Sequence, residues 1–240
     1  MKNNTGTALV TGGSKRIGQA IVLRLAQLKF NIALHYKESK QEAEKLAKEI
    51  RKEGIRCETF SCNLEDQKQT STLIKKVYAK FPDLNLLINS ASIFKKSDFK
   101  TASLESLDEH FNINFKAPFI LSRDFANLCK KGHIINILDT NVVKNNTSYF
   151  TYLLSKKALM ELTKMSAVEL APAIRVNAIA PGLILSPVHQ DETYLNRLAK
   201  NIPLKIKGEP SQITQCIEFL INNPYLTGQI LFNDGGEHLL

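Results

Sequence analysis

Short apolar runs alternate along this chain with longer stretches in which apolar residues recur every three or four positions. The first run is Thr-Ala-Leu-Val at 7–10; Asn31–Tyr36, 56–61, 84–88, 133–138, 174–179 and 229–232 follow the same pattern. Short apolar-rich runs bounded by turn formers are expected to be strands buried on both faces. The stretches between them read as helices: 21–28, 40–52, 65–80, 103–129, 150–170 and 210–221. Residues 40–52 are charged outside, with Ala43, Leu46, Ala47 and Ile50 on the inner face; Pro82 stops 65–80, and 103–129 should break or bend near Pro118. In 150–170, Leu154, Ala158, Leu159, Leu162 and Met165 share one side. Strand and helix alternating about seven times predict an α/β fold, a doubly wound parallel sheet of about seven strands with helices on both faces. No repeat, low-complexity tract or linker interrupts it, so a single domain is expected over 1–240. Residues 186–208 are less periodic, and a connection of that length is expected to be a substrate-covering lid.

At 240 residues, 43% hydrophobic and 23% charged, the chain can bury a substantial core and has the make-up of a soluble globular protein. It contains no run of about 18 apolar residues, so no membrane span is expected, and its first residues lack a signal peptide's apolar region. Cys57, Cys62, Cys129 and Cys216 are scattered without a Cys-x-x-Cys pair, as expected of reduced thiols in a cytoplasmic protein. The net charge of +9 and pI near 9.3 admit nucleic acid, a phosphorylated cofactor or an anionic substrate as partners. The lysines are spread over presumptive helix faces and turns, and no basic run reaches five residues, which favours a solvated surface over a nucleic-acid footprint.

Candidate chemistry sits where strands meet turns. After the first strand comes Thr11-Gly12-Gly13-Ser14-Lys15-Arg16-Ile17-Gly18, then a helical pattern. Strand, glycine-rich turn and helix form a phosphate-binding arrangement: glycines let the backbone approach, and the helix amino end offers unpaired N–H groups. Gly12, Ser14, Arg16, Ile17 and Gly18 are therefore candidate contacts of a Rossmann-type dinucleotide site. A site for NAD usually carries an acidic residue at the second strand's tip for the ribose 2′-hydroxyl. Here the tip offers His35, Tyr36, Lys37 and Ser39, donors that suit a 2′-phosphate, so NADPH/NADP is the expected cofactor. Glu38 is the discordant charge there and simply begins the next helix in this reading. Asn63 and Leu64, at the third strand's tip, adjoin the expected adenine position.

The stretch from Asp139 to Lys156 carries the reactive groups. Tyr152 and Lys156 lie four apart on a helix and face the same way. A phenol beside an ammonium is a proton-transfer pair, and the positive charge is expected to lower the phenol's ordinary pKa of about 10. Asp139, at the carboxyl end of the fifth strand, can bring a carboxyl group to the same place.

With these residues laid out, the chain resembles the short-chain dehydrogenase/reductase family along essentially its whole length. The matching motifs are Thr11-Gly12-x-x-x-x-x-Gly18, Asn89-Ser90-Ala91, Asn114, Tyr152-x-x-x-Lys156, Arg175-Val176-Asn177 and Pro181-Gly182, in the family's order and approximate spacing. Departures point to a narrower group: Arg16 replaces a glycine, Asp139 replaces the usual catalytic serine, the second strand ends His35-Tyr36, and Ser92-x-Phe94 follows the fourth. Together these look like the pteridine reductases and the related dihydromonapterin/dihydrofolate reductases. Asn63, where the family usually has Asp, and Ser90, where it often has Asn, are lesser departures.

The resemblance implies an NADPH-dependent reductase acting on a small-molecule pterin or folate. It implies cofactor contacts at Asn89, Ser90, Ala91, Pro181, Gly182 and Ile184, besides those of the glycine-rich turn and strand tips. Tyr152 would be the proton donor, with Lys156 lowering its pKa and holding the nicotinamide ribose, and Asn114 would hold a water linking Lys156 to solvent. Arg16 would reach phosphate and the pterin's polar edge, Phe94 would stack on the pterin, and Ser92 would bond pterin or phosphate. Asp139 would orient Tyr152 or the substrate if ionised, and donate if protonated. A homotetramer is the family expectation. Two other readings remain: a carbonyl reductase of the same fold acting on a 3-oxoacyl or sugar substrate, and a non-catalytic dinucleotide- or RNA-binding protein.

Overall fold

The computed structural model describes residues 5–186 and 192–240. Among them, seven strands form one parallel sheet in the order β3-β2-β1-β4-β5-β6-β7. The strands are β1 (Thr7–Val10), β2 (Asn31–Tyr36), β3 (Cys57–Ser61), β4 (Leu84–Asn89), β5 (Gly132–Ile137), β6 (Ile174–Pro181) and β7 (Ile230–Asn233). The chain runs outward from β1 through β2 to β3, then crosses back to start the other half at β4. Strand order therefore reverses between β1 and β4, and that reversal opens a crevice at the carboxyl ends of the strands, where α/β sheets bind ligands.

Burial on both faces explains why the strands read as continuous apolar runs. Val10, Leu34, Ile88 and Ile135 pack on one side with α1 (Arg16–Gln27), α2 (Lys40–Lys52) and α8 (Pro210–Asn222). Leu9, Ala33, Leu87 and Ile134 pack on the other with α3 (Gln67–Lys80) and α5 (Ala117–Leu128). Alternation with period two puts neighbouring residues into different cores. Helix α1 begins before its apolar periodicity does, because the glycine-rich turn runs straight into it. Helix α3 starts where Asp66 caps it, accepting from the N–H groups of Lys68 (2.9 Å) and Gln69 (3.1 Å).

The break expected near Pro118 is a single wide turn. Helix α4 (Leu104–Phe111) passes into a π-turn (Asn112–Lys116) before α5, and the Ala117 N–H bonds back to the Asn112 carbonyl. Pro118 has no N–H to give to the Asn114 carbonyl four residues back, so α-helical pairing fails at that point.

Helix α6 (Phe150–Glu169) buries a largely polar face. Its buried residues include Thr151, Tyr152, Ser155, Lys156, Leu159 and Thr163, whereas Leu154 and Met165 are exposed, Met165 at 71%. The polar heads tolerate burial because each is bonded: Ser155 Oγ donates to Tyr152 O (2.6 Å), Thr163 Oγ1 to Leu159 O (2.8 Å) and Lys156 Nζ to Ile137 O (2.8 Å). Of the segment expected to be a lid, residues 187–191 lie outside the described ones. The remainder holds α7 (Glu192–Ala199), with Leu195 and Ala199 buried. No helix among the described residues is long and apolar enough to cross a membrane.

Candidate active site

A cavity of about 730 Å³ runs along the crevice, from the glycine-rich turn to the start of α6. At its floor, the Thr11 hydroxyl oxygen accepts from the N–H groups of Ser90 (2.9 Å) and Ala91 (3.1 Å), tying the turn after β1 to the turn after β4. Gly12 adopts a positive φ of +63, and a Cβ there would stand 3.0 Å from Ala91 Cα; a Cβ on Gly18 would stand 2.1 Å from Gly12 O. The turn thus keeps its backbone bare against the cavity, which fits a dinucleotide pyrophosphate. Arg16 also has positive φ, 54, a conformation that costs an L-residue with a Cβ about 1–2 kcal/mol. Its guanidinium donates across the crevice to the carbonyls of Ser186 (2.8 Å) and Leu185 (3.5 Å).

His35 requires a correction. Its Nδ1 accepts the Gly12 N–H at 3.0 Å, and its Nε2 pairs with Cys62 O at 3.0 Å, so the proton sits on Nε2. Both ring nitrogens are engaged and burial holds the pKa near 4, which leaves a neutral strut under the glycine-rich turn rather than a phosphate donor. Asn89 also turns away from the cavity, donating to Asn136 Oδ1 at 2.8 Å inside the core.

A smaller depression beside the crevice is lined by Ser14, Lys15, Tyr36, Lys37, Ser39 and Glu42. Ser14 and Ser39 hydroxyls meet at 2.6 Å, Lys15 pairs with Glu42 at 2.7 Å, and Lys37 lies 3.5 Å from Glu38 and 3.9 Å from Glu65. Lys15, unflagged in the sequence reading, borders both the depression and the main cavity. Its place inside the glycine-rich motif was the available signal. Asn63 and Leu64 line the main cavity, where Asn63 Oδ1 accepts from the Glu65 N–H at 3.2 Å.

At the other end, Asp139 opens a short 3₁₀ turn (Thr140–Val143) after β5. Its Oδ1 accepts from the Asn141 backbone N–H (2.8 Å) and side-chain amide (2.9 Å), while Oδ2 accepts the Tyr152 hydroxyl at 2.9 Å. The lowered phenol pKa expected from Lys156 is not found. Burial first, then the Asp139 charge and hydrogen bond, hold the Tyr152 pKa well above its ordinary value. Lys156 Nζ points to the β5 carbonyl and stands 5.9 Å from the Tyr152 ring centroid; burial draws its pKa to about 8, against a smaller upward pull from Asp139.

Asn114, fully buried in the π-turn, clamps the segment after β4. Its Oδ1 accepts from Ser92 Oγ and the Ile93 N–H, both at 3.0 Å, and its Nδ2 donates to Ile93 O and Ser155 Oγ, both at 3.1 Å. Phe94 is half exposed, stacked on Tyr149 (4.3 Å, 16°) and edge-on to Tyr152 (4.8 Å, 86°). Pro181, Gly182 and Ile184 form part of the wall with Ser90 and Ala91. Sequence reasoning passed over Tyr149 and Glu237, which also line the cavity, as do Tyr194, Leu195 and Leu198 from the segment expected to be a lid. It also passed over His110, whose Nε2 accepts the Lys95 N–H at 3.3 Å below the Phe94 segment.

A buried tyrosine, lysine and aspartate at the carboxyl edge of this sheet, opposite a glycine-rich turn, define a class. Residues 6–194 match the family described as short chain dehydrogenase, and the chain belongs to that family. It is 31% identical to the 3-oxoacyl-(acyl-carrier-protein) reductase FabG of Staphylococcus epidermidis, over 97% of this chain and 99% of that one. Among solved structures it resembles FolM Alternative dihydrofolate reductase 1 from Brucella canis complexed with NADP, with a TM-score of 0.95, 34% identity and coverage of 100% and 96% of the two chains. A short chain dehydrogenase from Burkholderia cenocepacia in complex with NADP matches with a TM-score of 0.90, 26% identity and 99% coverage of both.

Proposed function

We propose that this chain is an NADPH-dependent reductase of a pterin ring, of the dihydropterin, dihydromonapterin or dihydrofolate class. The observation that carries the reading is Asp139, a carboxylate accepting the Tyr152 hydroxyl at 2.9 Å, beside the aromatic pair Phe94 and Tyr149. Likeness to the NADP complex of the Brucella canis FolM protein supports it.

Bound NADPH supplies hydride to a ring C=N carbon. Tyr152 gives its proton to the adjoining nitrogen. Its raised pKa keeps the phenol protonated beforehand and makes it a weaker acid, so transfer is driven by the basicity the nitrogen gains as hydride reaches the adjoining carbon. Asp139 holds the hydroxyl in place until the substrate nitrogen takes over its proton, and Lys156 holds the nicotinamide ribose. Phe94 and Tyr149 orient the flat ring, and Asn114 holds the Phe94 segment through Ser92 and Ile93. Ser14, Lys15, Lys37 and Ser39 take the 2′-phosphate, and Asn63 and Leu64 the adenine. Tyr194, Leu195 and Leu198 of α7 cover the substrate.

A second reading, reduction of a 3-oxoacyl carbonyl, is favoured by the FabG relative. Asp139 weighs against it: a carboxylate beside a carbonyl oxygen that gains negative charge opposes the reaction, where a serine hydroxyl would donate to it. The apolar residues exposed on α6, Leu154, Met165 and Val168, support a homotetramer, and the buried, unpaired Cys57, Cys62 and Cys129 suit a reducing cytoplasm.

The test is NADPH consumption with dihydrobiopterin, dihydromonapterin, dihydrofolate and a 3-oxoacyl thioester, for the wild type and Asp139→Ala. Pterin turnover that falls in the variant is the expected result. Turnover of the thioester alone overturns the reading in favour of the second.

A further inference from the structure

The end of the chain returns to the reaction end of the cavity. Asp234 anchors this return: its carboxylate accepts from the Thr140 hydroxyl and from the backbone N–H groups of Gly236 (3.0 Å) and His238 (2.7 Å). The His238 ring stacks on Phe232 at 4.3 Å. Gly235 and Gly236, with φ of +65 and +86, turn the backbone so that Glu237 faces inward. Glu237 lines the cavity together with Asp139, Asn141, Tyr152 and Tyr194.

The surroundings of Glu237 leave it incomplete. Its Oε1 is 4.0 Å from Lys144 Nζ, too far for a hydrogen bond, and its Oε2 is shut off from solvent with no hydrogen-bond partner among the described residues. A buried acceptor left unpaired is destabilising, so a turn of the carboxylate that brings Oε2 to the cavity wall, where a ligand's donor meets it, would gain more than the same contact at an exposed carboxylate. The negative charges of Asp139 and Asp234 reinforce burial in pushing this carboxyl's pKa up, and Lys144 opposes them. An acceptor in such surroundings favours a neutral donor and disfavours a second anion.

We propose that Glu237 is a specificity-determining residue of the pterin site, accepting a hydrogen bond from an N–H or O–H of a neutral substrate and disfavouring anionic ones. The proposal rests on the pterin-reductase reading and adds a choice within that class: pterins with neutral, hydroxylated side chains over dihydrofolate, whose glutamate tail is anionic.

The test compares wild type, Glu237→Gln and Glu237→Ala on dihydromonapterin, on a methyl-substituted dihydropterin without hydroxyls, and on dihydrofolate. NADPH affinity and the thermal midpoint are measured alongside. Wild type should favour the neutral pterins, and both variants should raise their KM about tenfold while narrowing the gap to dihydrofolate. Cofactor affinity should stay unchanged, and the midpoint should hold or rise, since an unpaired buried acceptor is removed. A KM rise shared by the methyl compound assigns the donor to a ring N–H; a rise confined to dihydromonapterin assigns it to a side-chain hydroxyl. Unchanged KM ratios in an active enzyme overturn the role of Glu237 alone. A wild type that turns over no pterin overturns the parent reading and this one with it.

Discussion

The two ends of the cavity use the same kinds of side chain in opposite surroundings. At the phosphate end, Lys15 and Glu42 pair at 2.7 Å with side chains 55% and 48% exposed. Such an exposed pair contributes little and is screened by salt, so either member can change partner at little loss. At the reaction end, Lys156 is 3% exposed, its ammonium rests on a backbone carbonyl at 2.8 Å, and burial has drawn its pKa to about 8. On the proposed function, charge that binds is left loose in water, while charge that serves the reaction is fixed before the substrate arrives.

Perturbing the fixed end should therefore have the largest effect. Tyr152→Phe removes the proposed proton donor, and turnover should fall by about a hundred- to ten-thousand-fold, with NADPH affinity by fluorescence titration unchanged. Asp139→Asn keeps the shape and removes the charge. Asp139 raises the pKa of both Tyr152 and Lys156, so its neutralisation lowers both. The alkaline fall of kcat should then move to lower pH in the variant. An alkaline limb that stays in place would show that neither group governs it.

How far these contrasts could be read beforehand follows the same division. Strands such as Ile134–Ile135 and Leu86–Ile88 were legible because both of their faces meet apolar helices, and hydropathy records that directly. The buried face of α6 was not legible. Tyr152, Ser155, Lys156 and Thr163 are stabilised by hydrogen bonds, which leave no mark on an apolar periodicity, while Leu154 and Met165 of the periodic set are exposed. The glycine-rich turn was legible because its conformations need small residues in consecutive positions. His35 was not, since its partners Gly12 and Cys62 lie 23 and 27 residues away and a histidine at a strand tip looks like a free donor. Glu237 reaches the site only because Thr140 and Asp234, 94 residues apart, are bonded, a contact without a local signature.

The strut under the glycine-rich turn gives the next effect in size. His35 has a folded pKa near 4 against an ordinary 6.5. Because the folded value is depressed, the neutral ring's contribution is complete above about pH 6.5 and is lost as pH falls toward 4, by up to about 3 kcal/mol. Urea unfolding at pH 7 and 4.5 should show wild type losing more stability than His35→Gln over that interval. Equal losses in the two proteins would remove His35 as the source. His133, held near 3 by burial and then by Arg175, should behave alike in both proteins and cancel from the comparison.

The loose end should respond least, and with a different signature. Lys15→Ala removes a cation from the depression beside Ser14 and Ser39, and NADPH affinity should fall about tenfold, while NADH affinity, lacking the 2′-phosphate, should barely change. Glu42→Gln should act in the opposite direction by a few-fold, because the phosphate no longer competes with a carboxylate for Lys15. Both changes should shrink as salt is raised, since these charges face water. Titrations of each cofactor at two ionic strengths check this. A Lys15→Ala effect equal for NADPH and NADH would place the phosphate elsewhere, with Lys37, already 3.5 Å from Glu38, as the next residue to substitute.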